Sequence, residues 1–318
     1  MDVLSRYTTR LVDLMRTIDL FAGVGGIRKG MELAGFTTVF SNDFDEKCKE
    51  TFDLNFSDPL LTLSDFNLLN FEDIPEFNVL TGGFPCQPFS VAGKREGFKD
   101  TRGNHFFTIA RLIDTRKPTA FLLENVKGLL THDGGNTFKT ILDTLDELNY
   151  KVQYAILNSK IHANVPQNRE RLFIVGFRDS KTYSKFKFPE PIPLTQTVFN
   201  LLEDKVPDKY RIKPNIYDKI MEFGIKENHV YQWRYNYIRE HKHPGVAPCL
   251  VTVGPSPIIK VGDVVRHLTP KECFNLQGFP NNYNLPEIHD RHLYKQAGNS
   301  VTVSLIKRIA DGIRISTA

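Results

Sequence analysis

Apolar residues fall in short blocks whose period alternates between strand and helix. Residues 4–15 suit an amphipathic helix, with Leu4, Leu11, Val12 and Met15 towards one side. Residues 17–21 (TIDLF) read as a buried strand, 22–26 (AGVGG) as a tight glycine turn, 27–35 as a helix ending near Gly35, and 37–43 as a second strand closing on acids. This βαβ opening predicts a parallel sheet with helices on both faces. The alternation continues with strands at 78–83, 118–126, 151–159 and 171–178, and helices at 103–117 and 137–150.

Near residue 180 the alternation stops. Residues 186–265 carry FPEPIPL, several tyrosines, scattered prolines and short β-like runs, which predict a smaller, loop-rich unit. Residues 266–280 read as helical and compact. The apolar spacing of 301–313 predicts a last helix packed back on the sheet. The expected division is 1–180 for a large α/β domain, 181–265 for the second domain, and 266–318 for the return to the first.

Apolar residues at 41% and charged residues at 25% are ordinary for a globular chain that buries a core. The N-terminus lacks the continuous apolar stretch of a signal peptide, and no apolar run approaches the roughly 20 residues of a membrane span. A cytoplasmic protein is expected. The charge is uneven: residues 1–180 hold 21 Lys and Arg against 24 Asp and Glu, and residues 181–318 hold 20 against 13. A basic half beside an acidic one fits a polyanionic partner, or equally an uneven solvated surface. Of the four cysteines, Cys48, Cys86, Cys249 and Cys273, none has zinc spacing, so neither a metal nor a disulfide framework is expected. Cys48 and Cys273 suit small buried apolar positions.

The glycine turn differs from the dinucleotide pattern GxGxxG, because Arg28 stands where the third glycine would be. It suits either a bound nucleoside or simple packing. Asp43 ends the second strand, where a carboxylate can accept ribose hydroxyls, and Asp65 ends a third segment within reach of an adenine amino group. Cys86 sits in GGFPCQPFS, a loop beyond a strand's carboxyl end shaped by two glycines and two prolines. A thiolate there can add to an electron-poor carbon. The polar stretch 94–104 (KREGFKDTRGN) reads as a mobile loop suited to closing over a substrate and touching phosphates.

Glu124 follows an apolar run, as either a solvated cap or a desolvated carboxyl able to hold a proton. Arg169 and Arg171 precede a strand and suit either a base oxygen and phosphates or surface pairing with Glu170. QAGNSV (296–301) reads as a polar turn, with Asn299 or Ser300 available to cap the last helix. In 231–243 (YQWRYNYIREHKH), Arg234 and Arg239 suit guanine edges or phosphates, while Trp233 and the tyrosines equally suit a small core.

DLFAGVGG, GGFPCQPFS, ENV, QNRERLF, LTPKECFNLQGFP and QAGNSV stand in the order and approximate spacing of the DNA (cytosine-5) methyltransferases, and the chain resembles that family over nearly all its length except about 180–265. The resemblance implies an α/β fold of the S-adenosylmethionine-dependent (Rossmann-like) type with a variable, loop-rich target-recognition domain. It implies methyl transfer from S-adenosylmethionine to C5 of a flipped-out cytosine in a specific double-stranded DNA sequence. Phe21, Gly23, Gly25, Asp43, Asp65, Asn299 and Ser300 match cofactor contacts, with Phe21 flanking the adenine. Cys86 matches the nucleophile at C6, Glu124 the partner of N3 and the exocyclic amine, Arg171 the arginine at O2, and Arg169 its support. Ser90, Lys94, Arg102, Arg234 and Arg239 are the expected DNA contacts. HPGVAPCLVTVGPSP (243–257) is only loosely similar to the family's threonine-containing turn, which leaves contacts there unassigned. A compact, monomeric prokaryotic modification enzyme paired functionally with a restriction endonuclease is expected. The alternatives are a tRNA cytosine-5 methyltransferase, a nicotinamide-dependent oxidoreductase, and a catalytically inert DNA-binding protein.

Overall fold

A computed structural model describes residues 15–85, 105–234, 237–253 and 256–318. The helix expected over 4–15 lies almost wholly outside them. Seven strands form the main sheet: β1 Arg16–Leu20, β2 Thr37–Asp43, β3 Thr62–Leu63, β4 Val79–Gly83, β5 Ala120–Val126, β6 Lys151–Asn158 and, after the short β7 Gln167–Asn168, β8 Glu170–Phe177. Their order is β3-β2-β1-β4-β5-β8-β6. The chain leaves β1 towards β2 and later returns to its other side as β4, so the carboxyl ends of β1 and β4 flank the point where an open α/β sheet leaves a crevice.

The sheet is mixed rather than wholly parallel, because β8 runs antiparallel to both β5 and β6. Only residues 159–169 separate β6 from β8; they hold one helical turn, Ser159–His162, and β7, too little chain for the crossover that a parallel return needs. The reversal has a chemical consequence. The start of β8, with Glu170 and Arg171, lies at the same edge as the ends of the parallel strands.

Alternate residues of β5 feed the two faces, the pattern of a strand buried on both sides. Phe121 and Leu123 join Ile109, Ile113, Ile141 and Leu145 from the helices His105–Arg116 and Asn136–Glu147. Ala120 and Leu122 join Met31, Ile306, Ile309 and Ile313 from the helices Gly26–Leu33 and Val303–Thr317. The C-terminal helix does pack back on the sheet, and against Gly26–Leu33. A Cβ at Gly30 would lie 2.5 Å from Ile306 Cβ, so the absence of a side chain sets how closely these helices approach.

The rest of the strands, β9 Val230–Arg234, β10 Tyr237–Glu240, β11 Ala247–Pro248, β12 Ile258–Val261 and β13 Val264–His267, fall within 230–267. Four make an antiparallel sheet ordered β10-β9-β12-β13 around a small core of Ile212, Ile220, Tyr231, Ile258 and Val265. Tyr231 is fully buried and Trp233 packs against this core, so these two aromatics serve the fold of the region. β11 pairs with β7 and ties the region to the main body. A buried pair, Arg266 to Glu272 at 2.8 Å, holds β13 to the helix Pro270–Asn275, whose start is closed by a capping box of Thr269 and Glu272.

QAGNSV differs from the expected turn. Residues 296–299 are the last turn of the helix Asp290–Asn299, and Thr302 rather than Asn299 or Ser300 stands at the N-cap position of the final helix, with no side-chain capping bond. Gln296 anchors that turn: its amide nitrogen donates to Lys47 O at 2.7 Å and its amide oxygen accepts from the Thr51 hydroxyl at 2.8 Å.

Candidate active site

A cavity of about 580 Å³ opens along the carboxyl edge of the sheet. This lies within the roughly 300–1,000 Å³ common for small-molecule sites. One end is built by the chain leaving β1. Phe21 has φ 55, Gly23 φ 53 and Gly25 φ 77. The turn closes with Gly25 N–H donating to Ala22 O at 2.7 Å, and leads into the helix Gly26–Leu33.

The two glycines do different work. A Cβ at Gly25 would lie 2.3 Å from the Phe56 ring, so that position serves packing and φ together. Gly23 lines the cavity, and a Cβ there would meet nothing within 4 Å. Packing and ligand access thus fall to different residues of one turn.

Asp43, at the end of β2, lines the same end. One carboxylate oxygen accepts from Gly23 N at 2.8 Å, and the other from Phe44 N at 2.7 Å and Asp45 N at 2.9 Å. Burial raises its pKa, against the pull of these three N–H donors. Asp43 therefore holds the glycine turn as well as presenting a carboxylate to the cavity. Phe21 stands beside it, edge-on to Phe66 at 5.3 Å and His105 at 5.0 Å. Asp65 is exposed and is not among the residues lining the cavity; it caps the turn Phe66–Leu68 by accepting from Asn67 N at 2.9 Å.

Asn299 and Ser300 line the same cavity. Ser300 Oγ is buried with no hydrogen-bond partner among the described residues, and a Cβ at Gly26 would come within 2.6 Å of it. A cradle with a free hydroxyl, an open glycine and a buried carboxylate fits a nucleoside bearing ribose hydroxyls.

At the other end Glu124 is 8% exposed. Arg171 Nε lies 3.2 Å from Glu124 Oε1. The antiparallel register explains the pairing: Val126 stands opposite Arg171 and Glu124 opposite Phe173, so the side chains of Glu124 and Arg171 meet on the diagonal. Burial pushes the Glu124 carboxyl above its ordinary range, while Arg171 and then Arg169 pull it back. Arg169 itself is buried, and its guanidinium donates to backbone carbonyls instead of pairing with Glu170. Asn125 donates to Phe84 O at 2.9 Å and fixes the chain just ahead of Pro85, which lines the cavity.

Cys86, Ser90, Lys94 and Arg102 lie outside the described residues, as does the Arg234 side chain. Arg239 is exposed on β10. Sequence reading passed over Asn125, Phe44 and Asp19. Phe44 is 68% exposed yet lines the cavity, and its signal was an aromatic directly after the acid that ends β2. Asp19 is wholly buried, accepting from the Thr81 hydroxyl at 2.9 Å and Arg28 N at 3.1 Å, and burial pushes its pKa up to about 7. Its signal was a carboxylate inside an apolar strand. Cys48 and Cys273 are buried, as expected of small apolar positions, and burial pushes both thiols up. Among the described residues no cluster of His, Cys, Asp and Glu could hold a metal, and no helix is long and apolar enough to cross a membrane.

Comparison with known proteins identifies the family. The chain is 45% identical over 312 residues to the type II methyltransferase M.Bsp6I of Bacillus sp., covering 94% of this chain and 98% of that protein. It is 42% identical over 297 residues to the type II methyltransferase M.HaeII of Haemophilus aegyptius, covering 93% and 91%. Among solved structures, DNMT2 of Spodoptera frugiperda shares the fold with a TM-score of 0.73 at 20% identity, over 94% of this chain and 99% of that one. The Entamoeba histolytica methyltransferase EhMeth does so with a TM-score of 0.72 at 19% identity, over 96% and 99%. Residues 15–314 match the family model for the C-5 cytosine-specific DNA methylases, and the chain belongs to that family.

Proposed function

We propose that this chain methylates C5 of a flipped-out cytosine at a specific duplex sequence, with S-adenosylmethionine as donor, as the modification enzyme of a restriction–modification system. The observation that carries the reading is one cavity lined by a nucleoside cradle and by the Glu124–Arg171 pair, whose carboxyl is buried. The relatives named type II methyltransferases support the biological setting and favour DNA over tRNA.

Gly23, Asp43, Asn299 and Ser300 would hold the cofactor, with Phe21 and Phe44 beside its base. Asp65, exposed and outside the cavity lining, is a proposed contact of the adenine amino group. Bound there, S-adenosylmethionine supplies an electrophilic methyl group on a sulfonium. A cytosine in a duplex cannot present C5 and C6 to protein, so it must leave the stack. Cys86, next in sequence after Pro85, adds its thiolate to C6. Glu124, whose pKa burial raises, gives a hydrogen bond from its protonated carboxyl to N3 and stabilises the electrons pushed onto the ring. Arg171 donates to O2 and fixes the base against Glu124. After methylation and loss of the C5 proton, the Cys86–C6 bond breaks and the thiolate leaves.

Ser90, Lys94, Arg102, Arg234 and Arg239 are proposed DNA contacts, and residues 181–265 the unit that selects the sequence. The test is to express the chain in cells lacking cytosine methylation and sequence their DNA after bisulfite treatment. Protection of one cytosine within a recurring short sequence is expected. Unprotected genomic DNA, with active protein that methylates tRNA instead, overturns the reading.

A further inference from the structure

Two separate segments that line the cavity are joined by one buried cation. Arg169 is 2% exposed. One terminal nitrogen, Nη1, donates to Leu250 O and to Cys249 Sγ, both at 3.3 Å. The other, Nη2, donates to Gly298 O at 3.1 Å and to Ser300 O. Residues 249–252 and 298–301 line the cavity from two separate segments, the first following β11 and the second closing the cofactor end. The walls also touch directly: a Cβ at Gly298 would lie 2.4 Å from Val251 O. Two residues along the chain, Arg171 reaches Glu124.

Only arginine has this reach. Its planar fork presents donors at two separated nitrogens, whereas a lysine ammonium is a single point. Burial lowers the Arg169 pKa to about 10, which leaves it charged at neutral pH. Four acceptors from two segments therefore share one rigid donor, and any shift of one wall changes its bonds to the other.

We propose that Arg169 is a positioning residue that couples the two ends of the cavity, so that a nucleoside seated against Asn299 and Ser300 sets the wall at Cys249 and Leu250 that borders the target base, and DNA seated there does the reverse. The proposal rests on the cofactor and DNA reading above. Coupling between two binding sites is reciprocal, so it can be measured from either side. Cys249 is the part of the link particular to this stretch, because the thiol supplies one of the four acceptors.

The test measures the dissociation constant of S-adenosylhomocysteine by calorimetry, with and without sheared unmethylated genomic DNA, after circular dichroism has shown that each variant is folded. In the wild type, DNA is expected to tighten the nucleoside by a factor of about 5 or more, the range of ordinary coupling. Arg169→Lys keeps the charge and should bring that factor close to one. Cys249→Ala removes one acceptor and should reduce it only partly. Should Arg169→Lys not fold, Gly298→Ala probes the same link from the other wall by pressing on the Val251 carbonyl, and should also lower the factor. Wild-type coupling in folded Arg169→Lys, or in Gly298→Ala when the first variant is unfolded, overturns the proposal, as does a wild-type factor of one. A wild type that binds no S-adenosylhomocysteine overturns the cofactor reading instead.

Discussion

The two ends of the cavity are built by different means. At the cofactor end the main chain does most of the work: positive φ at Phe21, Gly23 and Gly25, and three backbone N–H groups gathered by the Asp43 carboxylate. At the target end two side chains from neighbouring antiparallel strands do the work: the buried Glu124 carboxyl and the half-buried Arg171 guanidinium, 3.2 Å apart. Backbone-built sites hold their shape, and their cost is conformational. Side-chain-built sites hold a charge balance, and their behaviour depends on pH. Substitutions at the target end should therefore change the rate with binding of the nucleoside preserved, and those at the cofactor end should change binding first.

The sharpest break is Cys86→Ser. A hydroxyl is a far weaker nucleophile than a thiolate. Methyl incorporation should fall by roughly 10³-fold or more, the scale seen when an enzyme loses its nucleophile. Calorimetry should show S-adenosylhomocysteine binding unchanged. Turnover within tenfold of wild type would remove Cys86 from the chemistry. With the wild type, duplex containing 5-fluorocytosine should yield a covalent complex stable in denaturing gels, because fluorine at C5 cannot depart as a proton.

Glu124→Gln keeps the shape and removes the proton. A general acid–base group is worth roughly 10²–10⁴-fold, and a loss of that size is expected in single-turnover methylation. The pH profile gives a finer test. Burial raises the folded-state pKa of Glu124, so the protonated form persists above the ordinary carboxyl range and is lost as pH rises through that raised value. Activity should fall on the alkaline side with the loss of this proton. Arg171 opposes the shift, so Arg171→Leu should raise the pKa further and move the alkaline limb to higher pH, at a lower plateau rate. Movement to lower pH would refute the charge balance drawn for this end.

Local sequence pattern determines some of these features and leaves others to packing. The βα order, the glycine turn, the acid at the end of β2 and the return of the last helix follow from local periodicity and from residues whose backbone preferences are strong. The direction of β8 does not, since the same apolar block serves either direction. The Glu124–Arg171 contact is set by strand register between residues 47 positions apart, which no local pattern encodes, although the motifs supplied both residues. Arg169 looks like its neighbour Arg171 in sequence, and only packing sends one guanidinium to carbonyls and the other to a carboxylate. In 231–243, burial assigns Tyr231 and Trp233 to the small core, while a half-polar strand pattern left that choice open.

At the cofactor end Asp43→Asn is the informative change. The amide keeps the volume but replaces one acceptor with a donor, facing N–H groups of Gly23 or of Phe44 and Asp45. Hydrogen bonds to a charged group are worth roughly 1.5–3 kcal/mol, so S-adenosylhomocysteine should bind about 10- to 150-fold more weakly. The rate at saturating cofactor should change much less. A preserved dissociation constant with a collapsed rate would reverse the division between the two ends.

The smallest effect is expected outside the cavity, at Arg239. This side chain is exposed on β10, at the edge of the four-stranded sheet, with Gln232 opposite it on β9. Strand alternation places its neighbour Ile238 in the small core and turns Arg239 outward, so Arg239→Ala should leave folding and nucleoside binding intact. What it changes distinguishes two kinds of contact. A guanidinium on a guanine edge contributes about 1–3 kcal/mol at one base pair, and its loss should relax the sequence preference at that position alone. A guanidinium on a phosphate gives no sequence information, and its loss should weaken binding to every duplex alike and reduce the salt dependence by about one unit of slope. The free edge of β10 and the basic balance of the C-terminal half favour the phosphate contact. Methylation of a randomised duplex pool at several salt concentrations should therefore show an unchanged consensus with a shallower salt slope. An unchanged slope together with an unchanged consensus would exclude Arg239 from the DNA interface.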